Sequence, residues 1–416
     1  MADQFTVTLT SHAHGGEALG RLPDGRALFV PYALPGETVC VGLIEEKSNH
    51  ARGELLEVLQ ASPQRVQPRC PHFTTCGGCH YQHMSYEAQV EAKTTILRDQ
   101  LERIGGLQGI EILPAIPSPS TWNYRNHIQF HLTPQGKLGF KAPHSEAVVP
   151  IRECHLPEAP LNAIWPQIAL ETIPGLEQVS LRLGADEDIL LVLESSDQQA
   201  PEFSVDLPVS AVHLGPAGQI LLSGSDHIVI EVPDRNQGQG RLFRVSAGSF
   251  FQVNTPMAAA MVEHLLANLS LKAGATVLDA YCGVGLFSAF LAPRVGRLVG
   301  VESSHEACYD FEVNLDEFEN VELYEAPAEI VLPNLDLNPD IIIVDPPRSG
   351  LDRRALDGIL ALRPGVLAYI SCDPATLGRD ARRLSQRGYS LMQITPFDLF
   401  PQTYHIESIS FWQRPG

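Results

Sequence analysis

Thr276-Val-Leu-Asp279-Ala-Tyr-Cys-Gly283-Val-Gly285-Leu-Phe-Ser288 is the stretch that decides the fold. A short apolar run ends on a carboxylate, two glycines follow one residue apart, and an apolar helix-forming segment begins at once. Gly283 and Gly285 permit a tight turn and close approach of backbone to a ligand, and Glu302, ending the next apolar run (Arg297-Leu-Val-Gly-Val301), is placed to bind ribose hydroxyls. A glycine pair by itself is equally at home in an ordinary βα turn. The third glycine of a dinucleotide fingerprint is missing, with Ser288 in its place. Working outward, Ile341-Ile-Ile-Val-Asp345 and Leu367-Ala-Tyr-Ile370 repeat the short apolar run with helical patterns between, which predicts a doubly wound, mostly parallel α/β sheet from about residue 243 onward.

Two of these predicted strands end in reactive groups. Asp345-Pro-Pro-Arg348 follows one and Ser371-Cys372-Asp373-Pro374 the other. Pro374 suits the first position of a helix, Asp373 its N-cap and Gly388 its stop, so Cys372 is expected where a helix N-terminus favours thiolate. The bland alternative is a buried, inert thiol. Tyr404-His405-Ile-Glu407-Ser408 supplies a carboxylate that alone would read as a strand-surface residue, and His405 reads as packing or support. Arg379, Arg382, Arg383 and Arg387 follow the cysteine and form a cluster suited to phosphate.

Upstream, residues 5 to 60 alternate apolar and polar side chains around the turns Pro23-Asp-Gly25 and Leu34-Pro-Gly36, the pattern of a small β-barrel. A Pro-rich link, Ser62 to Pro68, leads to Cys70, Cys76 and Cys79, with Cys154 far downstream. Four soft ligands suit zinc or an iron-sulfur cluster, and their spacing does not separate the two. Tyr86 to Ile104 reads as an amphipathic helix stopped by Gly105-Gly106, and short alternating segments from 122 to 232 predict an antiparallel sheet. Cys40, Cys282 and Cys308 have no partner pattern and are expected to be buried.

The net charge of −20 argues at first against nucleic acid. Its distribution reverses that: residues 1–155 carry 13 basic and 15 acidic side chains and residues 345–416 carry 9 and 7, so the acidity is concentrated in the middle, with 7 and 27. No apolar stretch is long enough to span a membrane and the first residues lack a basic-then-apolar leader, so the expected location is cytoplasmic, where cysteines serve as ligands or catalysts.

Together, Phe251-Gln-Val-Asn254, Asp279 to Phe287, Asp345 to Arg348, Ser371 to Pro374 and His405-Ile-Glu407 resemble the RNA 5-methyluridine methyltransferase family, and Gly16-Glu-Ala-Leu-Gly-Arg21 with Ala33-Leu-Pro-Gly-Glu37 resembles its TRAM barrel. The glycine turn is accordingly similar to the S-adenosylmethionine site of a class I methyltransferase. The resemblance implies that Gln252, Tyr281, Glu302 and Asp345 contact S-adenosylmethionine, that Cys372 is the nucleophile and that Glu407 is the base. It also implies a [4Fe-4S] cluster on Cys70, Cys76, Cys79 and Cys154, as in the 23S rRNA branch of the family, with zinc as the alternative; ribosomal RNA is the expected substrate, with transfer RNA, or a non-catalytic RNA-binding or assembly protein that keeps the fold, as the alternatives. The chain departs from the family at Glu325-Ala-Pro-Ala-Glu329, near the expected adenine contact, and at Leu286. Arg348 stands where amino-directed methyltransferases carry an aromatic residue, which points away from an exocyclic amine.

The residue types also answer to the chemistry directly. Uracil C5 attacks an electrophilic methyl only after a soft nucleophile has added to C6, and a base must then remove the C5 proton, so one thiolate and one carboxylate are needed at the same ring. The base must first leave its stack. The expected organisation is an RNA-binding TRAM/OB-like barrel (1–62), an iron-sulfur and β-rich central domain (63–242) from which residues 81–114 pack with the catalytic part, and a methyltransferase domain (243–416).

Overall fold

The computed structural model describes residues 4–168, 170, 175–197, 207–234 and 238–414. Strands β1 (Gln4–His12), β2 (Glu17–Arg21), β3 (Ala27–Pro31), β4 (Thr38–Glu46) and β5 (His50–Gln60) close into a barrel in the order β1-β2-β3-β5-β4. Alternation puts Val7, Leu9, Leu28, Val30, Val39 and Val41 inside. Gly20 is required at the crossing of β2 and β1, because a Cβ there would lie 2.9 Å from Val7 Cγ1 and 3.0 Å from Leu9 Cδ2. Cys40 is only half-buried, contrary to expectation, while Cys282 and Cys308 are buried.

Helix α1 (Tyr86–Arg103), capped by the Ser85 hydroxyl, turns its buried stripe of Ile96, Leu97 and Leu101 onto α8 (Pro374–Gln386), against Leu377, Ala381 and Leu384. The crossing is close: a Cβ on Gly378 would stand 2.9 Å from Gln100 O. After α1 the chain runs along the last sheet, where Leu113 N–H donates to Ile394 O (2.9 Å) and Ile116 N–H to Pro396 O (2.9 Å), covering an edge strand.

The central sheet contains β6 (His127–Leu132), β7 (Leu138–Lys141), β8 (Val148–Pro150), β9 (Leu176–Leu183), β10 (Ile189–Ser195), β11 (Ser210–Gly215) and β12 (Gly218–Ser223), in the order β12-β11-β10-β9-β6-β7-β8. It is antiparallel except where β10 pairs β11 in parallel. Helix α2 (Ala159–Ile164) and Trp165 cover one face. β10 does not alternate inside and out as expected. Its Leu191 and Leu193 enter the core under Trp165, and its Leu190 and Val192 enter a second core shared with the ribbon β13 (His227–Val232) and β14 (Arg241–Ser246). The 242/243 boundary therefore runs through β14, whose Phe243 and Val245 join the core of the last sheet.

That sheet is built from β15 (Thr276–Ala280), β16 (Arg297–Glu302), β17 (Val321–Glu325), β18 (Ile341–Val344), β19 (Val366–Ser371), β20 (Ser390–Phe397) and β21 (Glu407–Gln413), ordered β17-β16-β15-β18-β19-β21-β20. The first five are parallel, and β21 is inserted antiparallel to both β19 and β20. The connecting helices are α3 (Thr255–Asn268), α4 (Leu286–Leu291), α5 (His305–Asn314), α6 (Ala328–Val331), α7 (Arg353–Leu362) and α8, so the doubly wound α/β expectation holds. Strand order reverses between β15 and β18, the position at which such sheets bind ligands beyond their carboxyl ends. Among the described residues, no helix is long and apolar enough to cross a membrane.

Candidate active site

Tyr281, Glu302 and Asp345 follow or end β15, β16 and β18, the strands at the switch point. Asp279 is fully buried at the end of β15. Its Oδ2 accepts from Ser288 Oγ (2.6 Å), Oδ1 has no partner, and burial pushes the carboxyl up to about 7, opposed by the Ser288 bond and reinforced by Glu302. Tyr281 adopts φ +65, a region that disfavours side chains, and Gly283 (φ +54) faces open space. Gly285 (φ +91) has no such room, since a Cβ would sit 2.5 Å from Leu315 Cδ1. Glu302 Oε2 accepts from Gly283 N–H (3.0 Å), and its Oε1 from Ser303 N–H (2.6 Å) and Ser304 N–H (2.8 Å). Gln252 is buried just before α3. Open space at Gly283, the left-handed backbone of Tyr281 and an unpartnered buried Asp279 oxygen fit a nucleoside cofactor.

The reactive pair is set by strand register. Ser371 pairs with Ser408 across β19 and β21, so the next residue in each direction, Cys372 and Glu407, stands at the same end of adjacent strands. β18 runs beside β19 with Val344 opposite Tyr369, which brings Asp345 to that end as well. Burial raises the Glu407 carboxyl well above its ordinary range, Asp345 raises it further, and Arg348 and Lys93 oppose them. Asp345 is raised to about 7 by burial and then Asp279.

Pro374 begins α8, Asp373 is its N-cap and Gly388 (φ +86) follows its end, all as expected. The expected thiolate bias at Cys372 is reversed. Burial pushes the thiol up to about 12, with Glu407 and Asp345 adding to it and Arg348 opposing. The helix gives little help because Asp373 Oδ1 already takes the N–H groups of Ala375 (2.9 Å) and Thr376 (2.8 Å), which carry the N-terminal partial charge. Sequence reasoning read Arg348 only as the replacement of an aromatic residue and missed its electrostatic role: it touches His405 (3.2 Å to Nδ1) and favours the charged form of both thiol and carboxyl. Its place in Asp345-Pro-Pro-Arg348 was the available signal.

The arginine cluster is more structural than its composition implied. Arg379 (2.9 Å) and Arg383 (4.0 Å) pair with the buried Asp380, which also accepts from Leu351 N–H and Tyr369 OH, and Arg387 pairs with Asp357 (3.5 Å). Arg382 and Arg387 are exposed, and Arg379 and Arg383 are half-buried.

Cys70, Cys76, Cys79 and Cys154 line one cavity of about 290 Å³ together with His72, Gln82 and Arg125. Burial raises all four thiols, Cys79 to about 12 and Cys154 to about 11, while the half-buried Arg125 opposes this at Cys79 and Cys154. Gly78 N–H donates to Cys76 Sγ (3.4 Å) and Gln82 Oε1 accepts from Cys70 N–H (3.0 Å). Among the described residues, no three His, Cys, Asp or Glu side chains converge on a point suited to a single ion. The volume is on the order of ten waters, and four soft thiols beside a guanidinium fit a metal-thiolate group.

The sheet order, the glycine turn after β15 and the antiparallel β21 define a class I methyltransferase. A tRNA (uracil-5-)-methyltransferase family model matches residues 216–414 and a TRAM domain model residues 3–56. An uncharacterized RNA methyltransferase of Halalkalibacterium halodurans is 34% identical over 98% of this chain and 96% of its own length, and one of Streptomyces avermitilis is 31% identical over 99% and 98%. The crystal structure of the Pyrococcus abyssi tRNA (uracil-54, C5)-methyltransferase in complex with S-adenosyl-L-homocysteine covers 99% of this chain and all of its own at a TM-score of 0.74 and 24% identity, a likeness of fold. The chain belongs to the TRAM-containing, S-adenosylmethionine-dependent RNA uracil-5 methyltransferase family.

Proposed function

We propose that this protein methylates uracil C5 in ribosomal RNA through a covalent bond between Cys372 and C6, with Glu407 removing the C5 proton. The observation that carries the reading is the β19–β21 register, which stands one thiol and one buried carboxyl at the same strand ends beside Asp345. Gln252, Tyr281, Glu302 and Asp345 hold S-adenosylmethionine, Glu302 exchanging its loop amides for ribose hydroxyls. The bound cofactor supplies an electrophilic methyl on a cationic sulfonium, whose charge opposes the carboxylate repulsion that raises Cys372. Cys372 as thiolate adds to C6 and moves an electron pair toward C5 and O4. C5 takes the methyl group, forming a carbon-carbon bond as the methyl's bond to sulfur breaks and S-adenosylhomocysteine leaves. Glu407 takes the C5 proton, and those electrons expel the thiolate and restore the ring. Burial of Glu407 gives it the basicity this step needs, and Arg348 moderates it.

Residues 1–62 form the RNA-binding barrel, 63–242 the central domain and 243–416 the catalytic domain, with residues 81–114 and the β13–β14 ribbon belonging by packing to the last. Cys70, Cys76, Cys79 and Cys154 hold a [4Fe-4S] cluster in preference to zinc, on the strength of the cavity's size and the facing Arg125. Tyr124 OH donates to Pro401 O (3.0 Å) beside this cavity, so the cluster supports the segment that leads to Glu407. Mass mapping of 5-methyluridine in RNA from a deletion strain tests the substrate. Loss of one 23S rRNA site is the expected result, and loss of a tRNA site would replace ribosomal with transfer RNA.

A further inference from the structure

The loop Ala13–Gly16 joins β1 to β2, and it leaves the barrel surface to reach both arms of the reactive pair. On one side, His14 Nε2 lies 3.4 Å from Asp373 Oδ2. Asp373 directly follows Cys372 and divides its oxygens: Oδ1 caps α8 and Oδ2 faces the barrel. On the other side, Gly16 (φ +91) lies so close to Tyr404 that a Cβ would meet Tyr404 Cβ and Cδ1 at 3.2 Å and His80 Cβ at 3.4 Å. Tyr404 stands three residues before Glu407, and its ring packs on His80 (4.4 Å) and His405 (4.6 Å).

The barrel is seated firmly enough for these contacts to transmit position. Leu34 of the barrel shares a core with Tyr81, Met84, Ala88, Ala92 and Tyr404. Glu37, fully buried, accepts from Leu34 N–H (2.8 Å), Ser62 N–H (3.1 Å) and the Arg65 guanidinium (2.5 and 2.7 Å), locking the barrel's exit to the segment that carries the cysteines. The loop is itself a tight turn, with Ala13 N–H donating to Glu17 O (2.8 Å) and Gly16 N–H to Ala13 O (3.3 Å).

We propose that the β1–β2 loop of the barrel is a positioning element of the catalytic centre, with His14 orienting the Cys372-Asp373 turn and Gly16 fixing the approach of the Tyr404–Glu407 segment. The proposal rests on Cys372 being the nucleophile. It gives the barrel a part in the chemical step as well as in RNA binding: a shift of the barrel on its substrate moves both reacting groups.

The test uses the full-length protein and ribosomal and transfer RNA transcripts carrying 5-fluorouridine, whose C5 fluorine blocks the final deprotonation, so that adduct formation is read alone. With saturating S-adenosylmethionine, His14→Ala is expected to slow adduct formation at saturating RNA by about ten- to a hundredfold, the effect of a small misplacement of a reacting group. RNA affinity by filter binding stays within about twofold of wild type. His14→Gln, which keeps a donor at similar reach, restores most of the rate. An unchanged rate at saturation, with or without weaker RNA binding, would overturn the proposal and leave His14 an RNA contact or a bystander. Cys372→Ala serves as the control: adduct that persists in it refutes the nucleophile reading instead of the role of His14.

Discussion

Lys93→Met is the perturbation that reaches furthest into this fold. Lys93 on α1 and Asp398 after β20 are 3% and 2% exposed, with Nζ 2.5 Å from Oδ1, and the ammonium also donates to Phe400 O (2.9 Å). Burial pulls the lysine below its ordinary value while Asp398 holds it charged. Methionine retains the apolar stem, so packing changes little and the loss is electrostatic. It leaves the buried Asp398 carboxylate without its cation, which costs about 3–5 kcal/mol for the broken pair. Asp398→Leu carries a similar cost by stranding the ammonium. The double variant removes both charges, and because Phe400 O keeps its bonds from Thr403 Oγ1 (2.9 Å) and Thr403 N–H (3.2 Å), it is expected within about 1 kcal/mol of wild type. Urea midpoints for wild type, both single variants and the double variant close a thermodynamic cycle, and the expected coupling is at least about 3 kcal/mol. Single effects that add to within about 0.5 kcal/mol would refute the reasoning. A second readout reaches the site: with the Lys93 cation gone, the Glu407 carboxyl rises further, so the acidic limb of the kcat profile moves to higher pH in whatever Lys93→Met remains folded.

Asp345 carries a pH prediction. Its folded carboxyl, raised to about 7, holds a proton that the unfolded chain has released, so its contribution is full below about pH 4 and lost as pH rises through about 7. Relative to wild type, cofactor-free Asp345→Asn is therefore expected to gain stability between pH 5 and 8, by on the order of a few kcal/mol, and urea midpoints that stay parallel across that range would show the carboxyl is not strained. For the cysteine cavity, anaerobically purified protein is expected to be brown and to contain iron and sulfide, with both lost from Cys79→Ser. Stoichiometric zinc in colourless, active protein would replace the cluster without touching the uracil chemistry.

Strand ends and caps were legible in the sequence because they depend on neighbours within a few residues: Asp373-Pro374 and Gly388 delimit α8 where expected, and Gly283 and Gly285 make the turn after β15. The barrel's alternation was equally local. What needed the structure was long-range. Nothing near Cys372 in sequence shows that Glu407 and Asp345 stand beside it, so the local dipole argument predicted a lowered thiol where the assembled site raises it. β10 read as one-sided because alternation carries no information about a ribbon packing on its other face. The roles of Lys93, Arg348 and His14 depend on elements tens to hundreds of residues away. A cysteine count named four candidate ligands, and only folding places Arg125 among them.

The central claim, covalent attack by Cys372 with Glu407 as the base, is tested most directly by Glu407→Gln with methyl-labelled cofactor and substrate RNA. The neutral amide permits thiolate addition and methyl transfer but does not take the C5 proton, so a denaturing gel should show a slow-migrating protein-RNA species, and peptide mass mapping should find a methylated uridine on Cys372. Release of free 5-methyluridine product at the wild-type rate, or an adduct on any residue other than Cys372, would contradict the account.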